Sequence, residues 1–173
     1  LYSGRAGILM LYRARLYCYP PGDEGYRVPA SGVYPAGEGS LEYPWGRILV
    51  SQMPLPPGAG RNFFQEQAGQ GIFWINRAAC TDQSVLRAVR PADVLRLSGD
   101  KGRLVADLLS GSGVPLPWRA SVLVLATDSG CDAVFVPALP RLGRIGTAAC
   151  VTPETGLALR FEIVPRRTDA KEP

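Results

Sequence analysis

The stretch that decides the fold is GVPLPWRASVLVL, residues 113–125. Its first half contains Pro115 and Pro117, each of which fixes φ near about −65° and lacks a backbone N–H, so we expect a stiff turn. From Trp118 onward, the side chains alternate between two faces in the manner of a β-strand. The sequence therefore predicts a turn that leads directly into a strand. Such a junction suits a pocket wall, and it suits an ordinary hairpin entry equally well.

The composition favours a single β-rich domain. The chain has 173 residues, of which 46% are hydrophobic and 20% are charged, and this suits one domain with a core. Its 20 glycines and 16 prolines favour many short strands joined by turns over long helices. We expect one β domain over residues 1–165, followed by a polar tail over residues 166–173.

Charge and residue usage exclude several classes of site. The net charge is +4, and the arginines are scattered without interleaved aromatics, so a nucleic-acid partner is not expected. No apolar run approaches the roughly 20 residues of a membrane span, so a membrane partner is not expected either. The chain has no histidine, which excludes His-ligated zinc, Cys–His nucleophiles and Ser–His–Asp triads.

The four cysteines stand far apart. No Cys-x-x-Cys pair occurs, and four cysteines could form two disulfides in three ways. The scattered spacing favours free thiols of an intracellular protein.

Patterns elsewhere predict further strands and one helix. Alternating or short apolar runs predict strands, and these lie within residues 7–19 (one strand or two), 47–53, 71–76, 132–136 and 157–164. Residues 54–61 read as a loop, and Thr127-Asp128-Ser129-Gly130 as a hairpin turn. Thr81 or Asp82 could cap a helix that ends before Pro91.

Two segments, residues 96–99 and 113–120, resemble motifs of the trimeric dUTPase family. Residues 113–120 resemble the third motif, Gly-Val-Ile-Asp-x-x-Tyr-Arg-Gly, with Trp118 and Arg119 on Tyr-Arg. Arg96, Ser98 and Gly99 resemble the second motif, Pro-Arg-Ser-Gly. The separation of Ser98 and Trp118 is similar to that in the family.

Three further segments follow the family order. Residues 22–28 resemble the first motif, Asp-Ala-Gly-Tyr-Asp-Leu, through Asp23 and Tyr26. Residues 33–41 are similar to the next connection, in which a strand turns back after Pro-x-Gly-Glu. Residues 139–151 resemble the fourth motif, Pro-Gly-Asp-Arg-Ile-Ala-Gln-Leu, through Arg144.

The resemblance implies an all-β fold, a dUTPase-like distorted β-barrel or jelly-roll sandwich, with a loop or short-helix insertion at about residues 54–93. It also implies a pocket for a nucleotide, in which the motif side chains hold the sugar and phosphates. The residues of this vestigial pocket would be Asp23, Tyr26, Arg96, Ser98, Gly99, Trp118, Arg119 and Arg144. The alternative is that Trp118 simply packs and the arginines face water.

Two parts of the family's catalytic machinery have no counterpart. Pro115 stands where the family has the aspartate that orients the attacking water, and no carboxylate lies between Asp107 and Asp128. Residues 161–173 contain no glycine, so the Gly-rich lid is missing. A proline ring can neither accept a side-chain hydrogen bond nor hold a proton. We therefore expect a protein without dUTPase activity, cofactor or metal.

The resemblance extends to catalytically degenerate dUTPase-related proteins of herpesviruses and adenoviruses. It implies a module that binds host proteins in immune evasion or signalling, in the host nucleus or cytoplasm, or a tegument protein of the virion. The expected partner surface is the insertion, through Phe63, Phe64, Phe73, Trp74 and Leu86. The alternative is that Phe73, Trp74 and Leu86 extend the core. Both a monomer and a homotrimer stay open.

Two other functions stay open at this point. One is a divergent dUTPase or other nucleotide hydrolase with a relocated carboxylate, such as Asp23 or Asp107. The other is nucleotide binding without hydrolysis.

Overall fold

A computed structural model describes residues 2–4, 7–12, 15–19, 34–35, 38–43, 45–97, 101–127 and 130–165. Most of the regular structure in these ranges is β. The strands are β1 Tyr2–Gly4, β2 Gly7–Tyr12, β3 Arg15–Tyr19, β4 Tyr34–Pro35, β5 Gly39–Tyr43, β6 Gly46–Met53, β7 Ile72–Asn76, β8 Val85–Ala88, β9 Val94–Arg96, β10 Gly102–Leu104, β11 Leu123–Thr127, β12 Gly130–Phe135, β13 Arg144–Ile145 and β14 Ala158–Pro165. The helices are α1 Arg61–Gly69, α2 Val105–Gly111 and the single turn α3 Leu116–Arg119.

The strands form three sheets. A seven-stranded sheet, called here the central sheet, has the order β10-β9-β12-β11-β8-β4, and β13 pairs with β12 beside β9. A four-stranded sheet, called here the outer sheet, has the order β5-β6-β14-β7. Strands β1, β2 and β3 form an antiparallel sheet of their own. All three sheets are open in the part of the chain that the structure describes, so the expected barrel closure is not found there.

The outer sheet packs face to face on the central sheet. Strand β6 alternates buried and accessible side chains, which places Ile48 and Val50 inside. Strand β14 buries Phe161 on the same side, and Phe135 of β12 meets it from the central sheet with ring centroids 5.3 Å apart. Phe73 of β7 meets Phe135 edge to face at 5.2 Å. This aromatic layer is the main core.

The opposite face of the central sheet is covered by α2. Val105, Leu108 and Leu109 are spaced as one helical face and are buried against the sheet. They pack with Val124 and Val134, whose side chains point away from the outer sheet. The central sheet is therefore buried on both faces. This agrees with β11, whose sequence Leu123–Thr127 has no alternation of apolar and polar residues.

A glycine C-cap ends α2 at the start of the deciding stretch. Gly113 has φ 77°, the left-handed conformation that glycine adopts without steric cost. The N–H of Val114 donates to the carbonyl of Leu109 at 2.9 Å, and the N–H of Gly113 donates to that of Ser110 at 3.1 Å. These two bonds form a Schellman motif. Residue 113 thus turns the chain from α2 toward α3.

The predicted strand from Trp118 is wrong over its first five residues. Residues 116–119 form α3, and the strand begins at Leu123. Pro115 precedes this helix and Pro117 lies in its first turn, where a φ near about −65° and a missing N–H are both compatible with helix. The same property that predicted a stiff turn therefore starts a helical turn.

Two other predicted features differ from the structure. The helix expected after Thr81 is absent, because Val85–Ala88 forms strand β8 between β4 and β11. The connection over residues 33–41 does not turn back on itself. Strand β4 pairs with β8 in the central sheet, whereas β5 pairs with β6 in the outer sheet. This segment therefore joins the two sheets.

The remaining strand predictions are confirmed. Residues 7–19 form the pair β2 and β3, and the segments 47–53, 71–76, 132–136 and 157–164 each contain the expected strand. Thr127 pairs with Gly130 in an antiparallel register, as a hairpin requires, while its two turn residues lie outside the described ranges. The polar tail 166–173 also lies outside them.

Candidate functional site: an arginine-rimmed cavity beside α1

The expected nucleotide pocket can be followed through half of its residues. Asp23, Tyr26, Ser98 and Gly99 lie outside the described ranges. The other four, which the structure describes, are Arg96, Trp118, Arg119 and Arg144. Among them, Arg144 lines the cavity beside α1.

Arg96 belongs to a buried ion pair. Its Nε donates to Oδ1 of Asp132 at 3.0 Å, and its Nη2 contacts the same oxygen. The Asp132 side chain is fully buried in β12. Because a buried carboxylate without its partner is strongly destabilising, Arg96 is held to this structural role.

Trp118 and Arg119 lie on α3, at the edge of the core beneath the central sheet. The Trp118 ring is half-buried and packs against the cluster that contains α2. Nε of Arg119 donates to the carbonyl of Val114 at 3.1 Å, which ties α3 back to the Schellman turn. Both side chains therefore have contacts within their own segment.

The expected partner surface divides into buried and accessible members. Phe73 and Leu86 belong to the main core, and Trp74 is only 5% exposed. Phe73 and Leu86 therefore extend the interior between the two sheets, whereas Trp74 lies on the other face of β7, outside that core cluster. Phe63 and Phe64 are half-buried on α1. They cover Trp74, with ring centroids 6.1 Å and 6.4 Å away.

An open cavity lies beside this aromatic group. Its volume is about 790 Å³, which is within the range of ligand pockets. One wall is α1 with the residues before it, and the other is residues 141–153. Phe64, Phe73 and Trp74 line its apolar part. The segment 141–153 stays in place because β13 pairs with β12, and Cys150 makes a single bridge with Ile75 of β7.

The charged residues that line the cavity are all cations. Arg61, Arg141 and Arg144 contribute, and no Asp or Glu does. All three side chains are exposed, and none forms an ion pair with a carboxylate of the described residues. Arg144 donates from Nη1 to the carbonyl of Gly143 at 2.8 Å, which fixes the direction of its side chain. The cavity rim is therefore positively charged and not neutralised locally.

The N-terminus of α1 and the Trp74 ring also lie at this cavity. Helix α1 begins after Gly60 without a side-chain cap and has no acidic residue in its first turn, and Ala59, Gly60 and Arg61 all line the cavity. The free N–H groups of a helix N-terminus favour an anion. The Trp74 ring lines the same cavity, and its Nε1 has no hydrogen-bond partner among the described residues.

The thiols are held in the neutral form. Burial raises the pKa of Cys80 to about 11, and the charge of Asp132 adds to this effect. Burial likewise raises the pKa of Cys131 to about 12 and raises the pKa of Cys150. Cys80, Cys131 and Cys150 are free. A thiol with a raised pKa is a poor nucleophile at neutral pH.

The described carboxylates are paired or dispersed. Asp93 accepts two hydrogen bonds from Arg87 and one from the N–H of Arg90. Asp107, a candidate for a relocated catalytic carboxylate, is exposed on α2 and is not part of the lining of the cavity beside α1. Within the described ranges, no three Cys, Asp or Glu side chains come together in a metal-binding group. No helix found there has the length and apolar character needed to cross a membrane.

Comparisons with known proteins concern the fold. No family model matches the chain, and no curated protein matches it significantly. Among solved structures, a crystal structure of a TilS C-terminal domain is similar, with a TM-score of 0.50 and 13% sequence identity. The match covers 82% of this chain and 96% of that domain. At this identity, the likeness describes a shared arrangement of strands and carries no statement about activity.

Sequence reasoning found part of the cavity and missed the rest. The sequence predictions include four residues of its lining, namely Phe64, Phe73 and Trp74 for a partner surface and Arg144 for a nucleotide pocket. Arg61 and Arg141 were not predicted, because they lie far apart in the sequence and meet only through the packing of α1 beside residues 140–142. The absence of nearby Asp and Glu around Arg141 and Arg144 was the one signal in the sequence that could have marked them.

Proposed function

We propose that this chain is a non-catalytic binding module, a degenerate relative of the dUTPase fold, that contacts a partner protein through the cavity beside α1. The observation that carries the proposal is the rim of three arginines around an apolar wall. An enzyme that hydrolyses a phosphoanhydride needs an acceptor near the attacking water as well as cations at the phosphates. The cavity supplies cations and aromatic surface but has no carboxylate on its lining.

The motif order along the chain supports the relation to dUTPases, and Pro115 supports the loss of activity. Pro115 lies between the Schellman turn and α3. Its neighbours Val114 and Leu116 offer no acid either. Under this proposal the partner is a host protein, and the chain acts in the host nucleus or cytoplasm, or in the tegument of a virion.

A hydrolysis assay tests the non-catalytic part. The chain is incubated with dUTP and Mg²⁺, and pyrophosphate release is measured beside an active trimeric dUTPase as positive control. We expect no release above a protein-free blank. Turnover above the blank that is abolished by Asp107→Asn, or by Asp23→Asn, would establish the divergent enzyme instead.

Calorimetry with a non-hydrolysable dUTP analogue tests the third possibility, nucleotide binding without hydrolysis. We expect no saturable heat, because Arg96 is engaged by Asp132 and Arg119 by Val114. Saturable binding that is lost on Trp118→Ala would place a nucleotide in the vestigial pocket.

A point-variant comparison tests the binding part. Deleting residues 62–93 is unsuitable, because it removes β7 from the outer sheet and β8 from the central sheet. Arg61→Glu with Arg141→Glu changes the cavity rim and leaves both sheets intact. We expect quantitative affinity capture from host cells to lose a defined set of proteins with this double variant, and to retain them with Arg90→Glu plus Arg103→Glu. Equal capture by both double variants would contradict a role for the cavity.

A further inference from the structure

We propose that the cavity beside α1 recognises an acidic segment of its partner, with one aromatic or large aliphatic side chain of that segment inserted against Phe64 and Trp74. This inference rests on the proposed function and specifies the chemistry of the partner. It is argued from the shape, the charge and the unsatisfied groups of the cavity.

The shape suits a side chain with its flanking backbone. A volume of about 790 Å³ is larger than one side chain needs, and the cavity is open on one side. Its wall contains Phe64 and Trp74 at adjacent positions, with Phe73 and Ala68 beside them. Aromatic walls of this kind bury an apolar anchor, and such anchors carry most of the binding energy in peptide recognition.

The charge specifies an acidic flank. Three of the chain's arginines, Arg61, Arg141 and Arg144, surround the anchor position without a neutralising carboxylate among the residues lining the cavity. Elsewhere in the described ranges, Arg87, Arg96 and Arg160 each have an acidic partner within ion-pair distance. Guanidinium groups bind carboxylates with two parallel hydrogen bonds, so Glu or Asp residues beside the anchor complement this rim.

The donors at the cavity wall point to the same ligand. The first N–H groups of α1 have no side-chain cap, and Ala59, Gly60 and Arg61 at this helix end line the cavity. A carbonyl or carboxylate of a bound segment supplies the acceptor, which favours a peptide over a purely apolar ligand.

A nucleic acid fits these observations less well. A strand of phosphates is followed by a stripe of cations, and its bases stack on open aromatic faces. Here the three arginines lie on the two walls of a single cavity, Arg61 on one and Arg141 and Arg144 on the other, and do not form a stripe. The peptide is therefore the occupant that we propose, and an oligonucleotide is one arm of the test.

Fluorescence anisotropy with labelled probes tests the inference. The probe is fluorescein-Glu-Glu-Phe-Glu-Glu. There are three control probes. The first has Ser in place of Phe, the second has Lys in place of every Glu, and the third is the single-stranded oligonucleotide (dT)8. We expect saturable binding of the Glu-Glu-Phe-Glu-Glu probe, with at least tenfold weaker binding of the Ser and Lys probes and of (dT)8. We also expect the binding to weaken as salt is raised, because exposed charges are screened.

Matched variants assign the binding to the cavity. Arg61→Glu plus Arg141→Glu should weaken binding of the Glu-Glu-Phe-Glu-Glu probe at least tenfold, since neither side chain makes a hydrogen bond within the described residues that folding requires. Arg90→Glu plus Arg103→Glu makes the same change in net charge on exposed residues away from the cavity and should leave the Kd within twofold. Thermal melting of each variant checks that both are folded.

Each outcome decides between named alternatives. No saturable binding of the acidic probe at about 1 mM overturns the inference, as does an equal effect of the two double variants. Preferential binding of (dT)8 that is lost with the cavity variant assigns the site to nucleic acid. A chain that hydrolyses dUTP yet binds the probe contradicts only the proposed function, whereas an inert chain that ignores the probe contradicts only this inference.

Discussion

Two groups of arginines in this molecule differ in what surrounds them. Arg87 and Arg96 lie on the central sheet and are each joined to a buried aspartate, Asp93 and Asp132. Arg61 and Arg141 lie at the cavity beside α1 and have no acidic partner among the described residues. The first group contributes to the fold through ion pairs with these aspartates. The second group is stable without such partners because it is exposed, and it is therefore free to serve binding.

The same contrast separates the two sites that the sequence suggested. The region of Trp118 and Arg119 is connected internally through Val114 and the α2 cluster. The region of Phe64 and Trp74 opens on a cavity. A variant in the closed region should change stability without changing ligand specificity, and a variant at the cavity rim should do the reverse.

The largest effect is expected for Phe135→Ala in the main core. Phe135 is fully buried and touches both Phe73 and Phe161. Removing its ring leaves a cavity between the two sheets and should lower the free energy of unfolding by about 3–5 kcal/mol. Urea denaturation followed by tryptophan fluorescence measures this change. A loss below about 1 kcal/mol would contradict the packing of the two sheets on each other.

Asp93→Asn should have a smaller and pH-dependent effect. Burial alone would raise the pKa of Asp93, but hydrogen bonds from Arg87 and from the N–H of Arg90 more than offset this, and the pKa is lowered. A lowered pKa in the folded state means that the ionised carboxylate stabilises the protein above its ordinary pKa. That stability is lost as the pH falls through the lowered value.

Denaturation over a pH series measures this contribution. At pH 7 we expect Asp93→Asn to lower the free energy of unfolding by about 2–3 kcal/mol, because Arg87 loses its buried partner. The difference in free energy of unfolding between Asp93→Asn and the wild type should shrink as the pH falls through the lowered pKa of Asp93. Asp82→Asn, at an exposed position before β8, is the matched control and should change little at any pH. A difference that is constant down to pH 2 would count against the ion pair.

Gly143→Ala should have the smallest of the three effects on stability, and residue 143 lies on the cavity lining against Phe73. A Cβ at residue 143 would stand 2.6 Å from Cζ of Phe73 and 3.1 Å from the carbonyl oxygen of Pro140. The ring must move, and we expect a loss of about 1–2 kcal/mol together with weaker binding at the cavity, which Gly143 lines. Gly156→Ala is the control, since nothing lies within 4 Å of its Cβ position. Thermal melting should distinguish the two variants.

The sequence predicted the β-rich fold well where strands alternate over several residues. Strands β6 and β14 are eight residues long, and their apolar positions mark one face each. Short elements were harder to predict from the sequence. The four residues of β8 have no readable period, and Thr81 offered a helix cap that the fold does not use. Helix α1 has no capping side chain and no buried residue, so its sequence carries neither of the usual helix signals.

The site was less predictable than the fold, for a physical reason. Arg61 and Phe64 meet Arg141 only because β7 pairs with β14 and residues 144–145 pair with β12. These contacts depend on strand pairing between distant residues, which a local pattern cannot express. For Arg96 the local pattern was misleading. Its motif suggested a phosphate ligand, but in the structure its guanidinium forms an ion pair with Asp132.

The indole N–H signals of the three tryptophans test the central claim most directly. Trp74 reports the cavity beside α1, Trp118 reports the region of the suggested nucleotide pocket, and Trp45 reports the main core. We propose to assign the three signals in ¹H–¹⁵N spectra with single Trp→Phe variants and to add the peptide Glu-Glu-Phe-Glu-Glu. The account predicts a saturable shift of the Trp74 signal with Trp45 and Trp118 unchanged. A shift of Trp118 with Trp74 unchanged would contradict it.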